Sequence, residues 1–63
     1  MKQYAMVRLL TNKYLNEGVK YGDLGYAIEI YDGGHIEVEF SDSSTGITIA
    51  QIVVNPEEIE QIG

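Results

Sequence analysis

Sixty-three residues allow one domain at most, and a chain this short buries only about 60% of its unfolded surface. With no cysteine, disulfide staples and thiolate metal sites are excluded, while 44% hydrophobic residues are too many for a disordered chain. The net charge of −6 is unevenly spread: the basic residues Lys2, Arg8, Lys13 and Lys20 all precede residue 21, and nine acids follow with no cation among them.

Tyr4 to Leu10 (YAMVRLL) is β-rich and predicts a first strand, with Met6 and Val7 competing for its inward face. Thr11 to Tyr21 is polar and predicts a long loop folded over one end of the domain, turning tightly at Asn16-Glu17-Gly18. Tyr21-Gly22-Asp23-Leu24-Gly25 punctuates the chain again, and Gly25 at a strand start suggests close backbone approach or a bend. Gly25 to Tyr31 alternates, which predicts Tyr26, Ile28 and Ile30 on the inward face and Ala27, Glu29 and Tyr31 on the other.

Asp32-Gly33-Gly34 predicts a two-residue primed hairpin turn. His35 to Phe40 alternates cleanly, with Ile36, Val38 and Phe40 inward and Glu37 and Glu39 outward. Ser41 to Gly46 is a polar turn, and Ile47 to Val54 is a long, uncharged fourth strand that would be a pairing site if left at an edge. Asn55-Pro56-Glu57-Glu58 has the form of a helix start, with Asn as N-cap, Pro next and acids in the first turn. Ile59 and Ile62 leave room for one 3₁₀ or α turn or a short closing strand.

Four strands, a short fifth and no real helix predict a single all-β domain over residues 1–63. The expected form is a small SH3-like five-stranded barrel with one short 3₁₀ or α turn near Pro56. No apolar run reaches the ~18 residues that a membrane-spanning helix needs, and no signal-peptide pattern follows Met1. A soluble, cytoplasmic protein is the expectation.

Val19-Lys20-Tyr21-Gly22-Asp23-Leu24-Gly25-Tyr26-Ala27, with Ile30 and Val38-Glu39-Phe40 beyond it, resembles the KOW-type signature of SH3-like barrels. More closely, the chain resembles a family of small uncharacterised bacterial proteins. Their shared elements correspond here to Met6 to Leu10, Glu17 to Gly25, Asp32-Gly33, Val38 to Phe40, Ala50 to Val54 and Glu57 to Ile59. Members look like companions of toxin-type genes, so the resemblance implies an immunity or antitoxin protein. The basic loops of nucleic-acid-binding KOW units are absent after Lys20.

The residues carry little catalytic chemistry. His35 is the only histidine and sits beside a turn, so no transition-metal site is predicted. Ser41, Ser43 and Ser44 lack an oriented base, and Asp32-Gly33-Gly34 precedes a strand rather than a phosphate-binding helix. Glu29, Glu37 and Glu39 are the informative cluster, since the hairpin places all three on one outward face, where like charges destabilise. Their bland reading is a solvated acidic face, and their functional one is a dock for a basic protein, with Tyr31 as an aromatic anchor and Asp42 beside them.

The expected function is a non-enzymatic, acidic protein-binding module without cofactor or metal. Its contact face would be Glu29, Tyr31, Glu37, Glu39 and Asp42, masking a basic partner such as a toxin. One alternative is a nucleic-acid binder using Arg8, Lys13 and Lys20, which the acidic balance disfavours. Another is an accessory subunit that adds Ile47 to Val54 to a larger complex.

Overall fold

The computed structural model describes residues 1–63. Five strands form one antiparallel sheet: β1 (Met6–Leu9), β2 (Leu24–Ile30), β3 (Ile36–Ser41), β4 (Thr48–Val54) and β5 (Ile59–Gln61). Their spatial order is β4-β3-β2-β1-β5, so β1 pairs with both β2 and β5, and β4 and β5 end the sheet. A 3₁₀ turn, Pro56–Glu58, joins β4 to β5, and the whole is the SH3-like arrangement expected from the strand and turn pattern. No helix is long and apolar enough to cross a membrane.

One side of the curled sheet supplies the core. Val7 and Leu9 of β1, Ala27 of β2, Ile36, Val38 and Phe40 of β3, Ile52 and Val54 of β4 and Ile59 of β5 pack together with Val19 from the first loop. The competition in β1 thus resolves to Val7, with Met6 half-buried on the other face. The first loop is more ordered than its polar composition suggests: Leu15–Glu17 forms a second 3₁₀ turn, closed by Gly18 in the left-handed region.

Strand β2 departs from its predicted alternation. Gly25 and Ala27, not Tyr26 and Ile28, face the core, and Tyr26 is 46% exposed. The cause is steric. A Cβ on Gly25 would lie 2.7 Å from the Glu39 carbonyl oxygen, 2.8 Å from Val38 Cγ1 and 3.0 Å from Phe40 Cδ1. Phe40 fills the space opposite, and only a residue without a side chain fits. A register shift between Ala27 and Glu29 then changes the parity, so Glu29 pairs with Glu37 on the outer face and Ile30 with Ile36. Gln3 Nε2 donates to the Ile28 carbonyl at this irregularity, at 2.9 Å.

The β2–β3 hairpin also differs from expectation. Tyr31 N donates to the His35 carbonyl and Gly34 N to the Tyr31 carbonyl, which leaves three residues, Asp32 to Gly34, in the loop. Gly33 and Gly34 have φ of 90° and 96°, while Asp32 does not have positive φ. A primed turn needs positive φ at its first central residue, so this turn belongs to the class with positive φ at the second.

At the end of β4 the helix-start reading holds as a single 3₁₀ turn, Pro56–Glu58, with Asn55 at its N-cap position. Glu58 N donates to the Asn55 carbonyl at 2.9 Å, and the Glu58 carboxylate accepts from Asn55 N at 2.9 Å, the reciprocal half of a capping box. Pro56 occupies the first turn position, where its missing N–H costs nothing.

Candidate partner-binding face

The outer face of β2, β3 and β4 carries two cross-strand rows. In the first, Glu29 is opposite Glu37, which is opposite Val53. The second runs Tyr26, Glu39, Gln51, and Met6 on β1 extends it beyond Tyr26. Exposed apolar side chains therefore flank the acids on both sides: Tyr26 and Leu24 on β2 and Val53 on β4, whereas Ile49, skipped in the β3–β4 pairing, lies against Gly18 of the first loop.

The acids are held but not neutralised. Tyr31 Oη donates to Glu37 Oε1 at 2.6 Å, and Thr48 Oγ1 donates to Glu39 Oε2 at 2.8 Å. The bond to Glu37 pushes the Tyr31 phenol above its ordinary pKa, with slight burial and the charges of Glu37 and Glu29 acting the same way. Glu29 has no side-chain hydrogen bond and no ion pair, although it faces a second carboxylate across the strands.

Three of the chain's four cations are used elsewhere, and the fourth, Lys2, makes no ion pair. Arg8 pairs with Glu60 at 2.8 Å, Lys20 with Asp23 at 3.1 Å and Lys13 with Glu58 at 3.3 Å. None reaches Glu29, Glu37, Glu39 or Asp42.

The five residues predicted for this site divide into two groups. Glu29, Tyr31 and Glu37 come together, and Glu39 occupies the next outward position of β3. Asp42 stands apart. Its carboxylate accepts from Ser44 Oγ at 2.6 Å, Ser44 N at 2.8 Å and Thr45 N at 3.1 Å, building the β3–β4 turn. The Ser44 hydroxyl, then the two backbone N–H groups, hold its carboxyl below the usual range.

Tyr26, Leu24 and Val53 belong to the same face and are not legible from alternation alone. A signal for Tyr26 does exist in the sequence. Gly25 and Ala27 are the small members of β2, and small residues fit opposite the bulky inward Phe40 and Val38.

A cleft of about 390 Å³ lies between the first loop and the β3–β4 turn, lined by Lys20, Asp23, Leu24, Ser41, Asp42 and Ile49 among others. Its charged groups are already engaged, Lys20 with Asp23 and Asp42 with its own turn. No three His, Asp or Glu side chains converge as metal ligands would.

Fold and face together define a small SH3-like domain with an acidic, tyrosine-bearing outer sheet. Residues 4–61 match the family described as a domain of unknown function, DUF4926, and the chain belongs to that family. No curated protein and no solved structure matches it.

Proposed function

We propose that this protein is a non-enzymatic binding module whose outer sheet face docks a basic surface of another protein. The observation that carries this reading is the group of Glu29, Glu37 and Glu39 on one face beside exposed Tyr26 and Tyr31, with none of them in an ion pair. Opposed carboxylates lower the stability of a small domain, and a cationic partner turns that cost into binding energy. Tyrosines supply rigid contact area among them. The specific form is an immunity or antitoxin protein that masks a basic site by steric occlusion, with electrostatic steering of the encounter.

A nucleic-acid role draws less support, because Arg8, Lys13 and Lys20 each already hold a carboxylate. The test is co-purification with the products of the neighbouring genes, followed by calorimetry with the triple variant Glu29→Lys, Glu37→Lys, Glu39→Lys. Binding that is lost in the variant and falls with salt supports the proposal. A partner bound equally well by the variant overturns it.

A further inference from the structure

The β2–β3 hairpin carries the chain's one Asp-Gly pair, Asp32-Gly33. Both residues are exposed, and the Asp32 carboxylate makes no hydrogen bond and no ion pair. The Gly33 N–H is unpaired as well. The bonds that close the turn run from Tyr31 N to the His35 carbonyl and from Gly34 N to the Tyr31 carbonyl, and neither holds the peptide between Asp32 and Gly33. A Cβ built on Gly33 would meet nothing within 4 Å outside its chain neighbours, so the Gly33 backbone is uncrowded by its own residue and by the fold.

Every other Asp and Asn is restrained at its side chain or at the following nitrogen. Asp23 accepts from Lys20 N and Lys20 Nζ, and Asp42 from Ser44 N, Ser44 Oγ and Thr45 N. Asn12 Oδ1 accepts from Tyr21 N. Asn16 is followed by Glu17, whose N donates to the Tyr14 carbonyl. Asn55 is followed by Pro56, whose nitrogen carries no hydrogen. Asp32 alone combines a free carboxylate with a free N–H on a following glycine.

We propose that Asp32 is a site of spontaneous isomerisation to isoaspartate, with water as the only co-reactant. The Gly33 nitrogen attacks Asp32 Cγ. An N–Cγ bond forms, the bond from Cγ to the carboxyl hydroxyl breaks, and that hydroxyl leaves as water with the amide proton. Water then reopens the cyclic succinimide. Opening at Cγ restores Asp32; opening at the backbone carbonyl carbon routes the main chain through Cβ and Cγ and leaves the α-carboxylate free. Mass and charge are unchanged, but the loop gains one methylene inside the two bonds that close it. The neighbouring residue is Tyr31, whose phenol holds Glu37 at 2.6 Å. Isomerisation therefore displaces Tyr31 from Glu37, whatever the outer face binds.

Prolonged incubation of the folded chain in heavy-oxygen water at neutral pH tests this, with fragment mass spectrometry locating isoaspartate. It should accumulate at position 32 with one solvent oxygen incorporated, while Asp23 and Asp42 remain unchanged. Asp32→Glu should abolish it, because the longer side chain must close a larger ring. Asp32→Asn should give the same product faster, with ammonia in place of water as the leaving group. Asp32 is exposed and unbonded, so both variants keep the fold, which circular dichroism checks. In the isomerised wild type the NMR signals of Tyr31 and Glu37 should shift while those of Val7 and Leu9 stay in place. The proposal is overturned if position 32 isomerises no faster than Asp23 and Asp42. It is equally overturned if isoaspartate forms in urea but not in the folded chain, since the turn would then protect the site. An isomerised chain with unmoved Tyr31 signals overturns the effect on the face.

Discussion

Tyr14 Oη donates a 2.7 Å hydrogen bond to Glu58 Oε1, joining residues 44 apart in the chain. The same carboxylate accepts from Asn55 N and pairs with Lys13 through its other oxygen. The first loop is thereby tied to the 3₁₀ turn before β5, where the polar sequence of Thr11 to Tyr21 shows only a loop. Burial and the bond to Glu58 push the Tyr14 phenol up to about 12. Burial also pushes the Glu58 carboxyl up, but the bonds from Tyr14, Asn55 and Lys13 outweigh it and hold the carboxyl below its ordinary 4.5.

Tyr14→Phe should therefore destabilise the domain by about 1.5–3 kcal/mol, the range for a hydrogen bond to a charged partner. Urea denaturation at neutral pH measures it.

The same pair predicts a pH profile. Tyr14 has its folded pKa raised from 10.0 to about 12, so its contribution is complete below pH 10 and is lost as pH climbs towards 12. Glu58 has its folded pKa lowered from 4.5, so its contribution is present above that value and is lost as pH falls through the folded pKa. Denaturation midpoints across pH should fall at both ends for the wild type. In Tyr14→Phe the alkaline loss should shrink.

Gly25→Ala should cost about 1–3 kcal/mol, the range for overpacking a filled core. The added methyl meets a backbone oxygen at 2.7 Å, and backbone cannot step aside as a flexible side chain would. A shifted urea midpoint at an unchanged slope is the expected result.

Glu29→Gln should stabilise the domain by about 0.2–1 kcal/mol at low salt by removing one charge from the Glu29–Glu37 pair, and the gain should fade as salt is added. Glu29 suits this test better than Glu37, which also accepts from Tyr31. Paired thermal melts at two ionic strengths measure the difference.

Tyr26→Ala should leave stability within about 0.5 kcal/mol, as for other surface substitutions. An inward aromatic would lose about 3–5 kcal/mol. If the proposed basic partner docks here, the same variant should weaken its binding, so thermal melts and calorimetry together test Tyr26 as a residue of the face and not of the core.

Much of the architecture is visible in the residues. Ile36-Glu37-Val38-Glu39-Phe40 alternates with no ambiguous member, and the structure buries Ile36, Val38 and Phe40 as that pattern requires. Asn55-Pro56-Glu57-Glu58 reads as a turn start because the Asn55–Glu58 bonds that close it are local. β2 is harder, because Tyr26 and Ala27 are both acceptable on either face until the volume of Phe40 opposite is known. The outward position of Glu29 agrees with its prediction only because the irregularity after Ala27 reverses the strand's parity.

The sequence by itself determined the strand count, the places of the turns, the 3₁₀ turn at Pro56 and the concentration of acids after Lys20, since each follows from local periodicity, backbone preference or composition. Only the tertiary structure decided which side of β2 faces the core, which carboxylates lack a cation and which strands end the sheet. Those depend on what lies across the fold from each residue. Packing against Phe40 expelled Tyr26, ion pairing took Arg8, Lys13 and Lys20 away from the acidic rows, and strand order left β4 and β5 outermost.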